Sequence, residues 1–64
     1  MTWELYEVWS ADEAGHEALI NTTKSYKEAK SLAKKALHEG AASSWIFRET
    51  GDGELEELDR YEDA

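Results

Sequence analysis

The chain has 64 residues, no cysteine, no proline, 41% hydrophobic residues and a net charge of −8. It forms one small domain, 1–64, that buries only about 60% of its unfolded surface, and neither a disulfide nor a zinc–thiolate site can reinforce it. No apolar run approaches the roughly 20 residues that span a bilayer, and no basic-then-apolar leader opens the chain. Met1 reads as a genuine start, and the sequence predicts a cytoplasmic protein with no membrane partner.

Thr2–Ser10, TWELYEVWS, is rich in aromatic and branched residues and predicts a first strand. Burying Trp3, Leu5 and Trp9 would also bury Glu7, so Tyr6 and Val8 are expected on the covered face and Trp3, Leu5 and Trp9 on the other. Ala11–Gly15 is a polar connection, and His16–Asn21 predicts a shorter second strand.

Ser25–Gly40, SYKEAKSLAKKALHEG, carries the clearest pattern in the chain. Ser25 and Glu28 form a capping box, in which the glutamate reaches back to the Ser25 amide. Ala29, Leu32, Ala33, Ala36 and Leu37 recur on one helical face, narrow enough to approach a sheet closely. Lys27, Lys30 and Lys34 occupy the other face, with Lys35 beside them. His38 suits the carbonyl end, and Gly40 a left-handed stop.

Ala41–Ser44 is a small-residue linker. Trp45–Thr50, WIFRET, predicts a third strand with Trp45 and Phe47 facing the helix and Ile46 and Arg48 facing away, because Arg48 is the residue least suited to burial. Gly51-Asp52-Gly53 marks a turn. Glu54–Tyr61 predicts a returning strand; Leu55 and Leu58 are three apart, a helical spacing that a β-bulge reconciles with a strand. Glu62–Ala64 is expected to fray. The order strand, strand, helix, strand, strand predicts an α+β domain, a single-layer and mainly antiparallel sheet with one helix on one face. The run YKEAKSLAKKAL, the following strand, the turn before Leu55 and the late Tyr61 resemble short bacterial and archaeal ββαββ domains of uncharacterised function. The resemblance implies this fold and no activity.

Charge is unevenly placed. Lys24 and the four helix lysines face only Glu28 and Glu39, net +3, while Arg48 and Arg60 face thirteen acids elsewhere, net −11. Such an acidic sheet argues against nucleic acid as a partner. His16 beside a loop and His38 at a helix end are expected to be solvent-facing rather than general bases, which need a positioned partner and substrate, and no nucleophile elbow or phosphate-cradling loop occurs. Asp52, Glu54, Glu56 and Glu57 lack calcium-loop spacing and read as an acidic strand edge. The sequence thus predicts no enzyme, metal or cofactor. It predicts an interaction module whose partner-binding residues are Trp3, Leu5, Trp9, Ile46 and Arg48, aromatic and arginine side chains of the kind enriched in contacts. The partner is a second copy, as a homodimer, or another protein. The alternative is an acidic mimic of nucleic acid that occupies a DNA- or RNA-binding protein.

Overall fold

A computed structural model of the chain describes residues 5–50 and 53–62. Strand β1 (Leu5–Ala11) turns into β2 (Glu17–Thr23). Helix α1 (Tyr26–His38) follows, then β3 (Ser43–Glu49) and β4 (Leu55–Glu62). All neighbouring strands are antiparallel, in the order β2-β1-β3-β4. The helix crosses the two central strands on one face. This is the expected α+β architecture, with β4 a strand.

Local chemistry explains the boundaries. Ser25 is extended and its Oγ accepts from the Glu28 amide at 3.3 Å, as a helix cap should. The reciprocal half of the expected capping box is replaced: the Ser25 amide donates to Thr23 Oγ1 at 3.2 Å, because the chain enters the helix directly from β2. At the other end the Gly40 amide donates to the Leu37 carbonyl and the Ala41 amide to the Ala36 carbonyl. Gly40 has φ +109°, so these bonds close a Schellman motif around a backbone conformation that glycine adopts without strain.

The core lies between the helix and the two central strands. Ala29 and Ala33 meet Tyr6, Val8 and Ile46, with Leu32, Leu58 and Tyr61 packed around them. Tyr6 and Val8 face the helix as expected. The orientation of β3 is the reverse of the expected one. Ile46 is fully buried in the core opposite Val8, and Ser44 is buried under the helix, so Trp45 and Phe47 point away from it. Two physical facts decide this. An alanine-faced helix sits too close to the sheet for two aromatic rings, whereas Val8, Ile46 and Ser44 fit beneath it. Arg48 on that face lies opposite Tyr6, whose ring meets Tyr26 in the first turn of α1, and its side chain remains about a third exposed. A charge near the open end of the covered face needs no deep burial.

Each edge strand carries one extra residue. The register of β2 shifts between Asn21 and Leu19, and that of β4 between Asp59 and Glu57. Leu58, at the shift in β4, packs against the core and Leu55 stands on the opposite face. Three residues apart, they would separate in this way in a regular strand too, so their spacing does not need the expected bulge to reconcile it.

Candidate functional site

Because the helix covers one face, the other face of the sheet is left uncovered by the described elements. Cross-strand pairing and alternation define its rows. Leu19, Trp9, Trp45 and Arg60 stand in line across all four strands. The next row is Thr22, Glu7, Phe47 and Glu57, and the third is Leu5, Glu49 and Leu55. Glu17 and Glu62 stand at the far end, flanking Ala11 and Ser43. The face is therefore an apolar centre, Trp9, Trp45 and Phe47, with leucines and glutamates around it.

Two clasps hold Trp9 and Trp45. The Trp9 indole Nε1 donates to Glu7 Oε1 at 3.0 Å, a contact between residues two apart on one strand face. Trp45 is only 3% exposed although the helix is on the opposite side. The Arg60 guanidinium lies 4.8 Å over its ring, and Arg60 Nε donates to Glu57 Oε1 at 2.9 Å. Glu57 and Arg60 are three residues apart and would point to opposite faces of a regular strand. The extra residue in β4 brings them to the same one. Leu19 and Leu55, each 48% exposed, stand at opposite corners of the apolar region.

The expected partner-binding residues separate. Leu5 and Trp9 lie on the outer face, half-buried. Ile46 is core and Arg48 lies on the helix face, paired with Glu56 Oε2 through its terminal nitrogen. Trp3 lies outside the described residues, as do Gly51 and Asp52 of the expected turn and the last two residues. Although β1 and β3 are neighbours, Glu7 and Arg48 lie on opposite faces: Glu7 is opposite Phe47 and Arg48 opposite Tyr6. Sequence reasoning missed Trp45, Phe47 and Arg60 on this face. The signal available was Ser44, whose small side chain and hydroxyl suit the underside of a helix and whose parity is that of Ile46.

Other surfaces offer less chemistry. An open cleft of about 320 Å³ lies between β2 and the second half of α1, lined by Ile20, Leu32 and Ala36, with Lys35 and Glu39. Its two charged groups pair with each other, 3.8 Å apart. His16 Nδ1 lies 3.2 Å from Asp12 Oδ2 in the β1–β2 loop, where Asp12 Oδ1 also accepts from the Ala14 and His16 amides. Those bonds order the loop and hold the Asp12 carboxyl below its ordinary value, the His16 amide contributing most. Among the described residues no three carboxylate or imidazole groups converge as metal ligands. None of their helices is long and apolar enough to cross a membrane. No protein-family model, curated protein or solved structure matches the chain.

Proposed function

We propose that the protein is a non-enzymatic interaction module that binds another protein through the outer face of its sheet. The observation that carries this reading is the apolar group Leu19, Trp9, Phe47 and Leu5 on the face away from the helix, laid around Trp45, which Arg60 covers and which supports the others from beneath. A part-exposed tryptophan with a phenylalanine and leucines beside it is the composition of a contact centre, and the glutamates around them supply a polar rim. Acidic mimicry of nucleic acid would call for a dense array of carboxylates. Here the acids alternate with apolar side chains, which favours a contact with an apolar centre.

The test uses Leu19→Glu combined with Leu55→Glu. Both positions are exposed corners of the face, so the variant should keep its circular dichroism and cooperative unfolding. Wild type and variant serve as baits, and any captured partner is purified and its footprint mapped by hydrogen exchange. The reading predicts protection on β1 and β3 and loss of the partner from the folded double variant. Protection confined to the helix, with capture unaffected by the double substitution, would overturn it.

A further inference from the structure

Among the described residues the outer face carries Glu7, Glu17, Glu49, Glu57 and Glu62 against one cation, Arg60. Arg60 is already engaged within the chain, stacked on Trp45 and bonded to Glu57. Among the described residues no cation pairs with Glu7, Glu17, Glu49 or Glu62. A second copy docked face to face would therefore bring glutamates against glutamates around the tryptophans, and like charges across a contact are strongly unfavourable. The charge of this surface calls for an occupant of the opposite sign.

The face itself shows how it takes a cation. At Trp45 a guanidinium is held by an indole ring on one side and a carboxylate at its edge. One strand away the same two components stand together again, Trp9 with Glu7, fixed to each other by the 3.0 Å bond. That bond occupies one carboxylate oxygen of Glu7 and leaves its charge and its second oxygen as an acceptor. An arginine brought by a partner can meet the Trp9 ring and the Glu7 carboxylate as Arg60 meets Trp45 and Glu57, while apolar neighbours on the partner cover Phe47 and Leu5.

We propose, resting on the outer face as the contact surface, that its partner is a basic protein segment in which arginine alternates with apolar residues, and that Trp9 and Glu7 receive one of its guanidinium groups. Interleaving of charge and apolar side chains in the partner matches the interleaving seen here, which a purely polar polycation would not.

Three synthetic strand-length peptides test this against the isotope-labelled full chain: one alternating arginine with valine, one alternating glutamate with valine, and one alternating arginine with glycine. Binding is followed at the Trp9 indole N–H, assigned through Trp9→Phe. The arginine–valine peptide should shift this signal and those of Phe47 and Leu5, and bind more tightly than the other two. Glu7→Gln should weaken it about two- to five-fold, the worth of an exposed ion pair or cation–ring contact. Glu28→Gln, an equal loss of charge on the helix side, should leave it unchanged. Equal weakening by both variants would reduce the effect to net charge and overturn the proposal, as would a Trp9 signal that no peptide moves. A Trp9 signal that moves with protein concentration alone, with a rise in size in solution, would make a second copy the occupant and also overturn it. If a natural partner is lost in the Leu19→Glu and Leu55→Glu variant while the peptides fail, the contact face stands and only its cationic occupant falls.

Discussion

The hydroxyl of Ser44 donates to the carbonyl of Ala33 at 2.8 Å, a bond between β3 and the middle of α1 with both residues fully buried. It is a direct polar tie between helix and sheet, and it favours the side of β3 that carries Ser44 and Ile46 facing inward. Ser44→Ala should lower stability by about 1 kcal/mol, a typical net value for one hydrogen bond. Urea denaturation measures it; an unchanged midpoint would mean that the tie contributes nothing.

The helix start rests on Ser25 and Thr23. Ser25→Ala should cost about 1 kcal/mol, because it leaves the Glu28 amide without its side-chain acceptor. Thr23→Ala should also destabilise, since Thr23 Oγ1 accepts from the Ser25 amide. Glu28→Ala should cost less than either, as its carboxylate is not the acceptor for that amide. A Glu28→Ala loss as large as that of Ser25→Ala would restore the reciprocal box.

Ile46 and Leu19 separate core from contact face. Ile46 is completely buried between Val8 and the helix, so Ile46→Ala should cost roughly 2–5 kcal/mol, comparable with the whole stability of so small a domain. Ile46→Glu should not fold. Leu19→Glu, on an exposed edge position, should retain cooperative unfolding near the wild-type midpoint. Thermal melts of the three variants decide the matter.

Tyr61 and Asp59 make stability depend on alkaline pH. Burial raises the Tyr61 phenol above its ordinary value of 10.0, and the Asp59 charge raises it further. The neutral phenol is the form that folding favours. Its contribution is fully present below 10.0 and is lost as pH rises through the higher folded-state value. Asp59 Oδ2 is buried without a hydrogen-bond partner among the described residues. Asp59→Val should therefore raise the unfolding free energy at pH 7 by about 1 kcal/mol and lower the Tyr61 value, which burial keeps above 10.0. Ultraviolet titration of the phenols checks the second effect.

Asn21 guards an edge. Its Oδ1 accepts from the Thr22 amide at 2.8 Å, so this donor of edge strand β2 is occupied by a side chain. The other edge, β4, carries Glu56, Glu57, Asp59, Arg60 and Glu62, which discourage pairing by charge. In β2 only Glu17 is charged. Asn21→Val should free the amide, raise β propensity and produce concentration-dependent association in sedimentation. A strictly monomeric variant at millimolar concentration would assign the guarding to the extra residue in β2 alone.

What the sequence determined by itself was whatever depends on near neighbours. The helix from its serine cap to Gly40, the four strands and the outward position of Glu7 all follow from spacing, capping chemistry and the cost of a buried charge. The same rule failed at Arg48, because its cost depends on where the helix ends over the sheet, and no local pattern contains that distance. Only the tertiary structure decided that Ser44 finds a carbonyl in the helix, that Ile46 rather than Trp45 meets Ala33, and that Arg60 closes over Trp45. Each of these is a contact between residues distant in sequence. The last also requires an extra residue in β4 to turn Glu57 and Arg60 to the same side, and alternation counted along the chain cannot place such a residue until the partner strand is known.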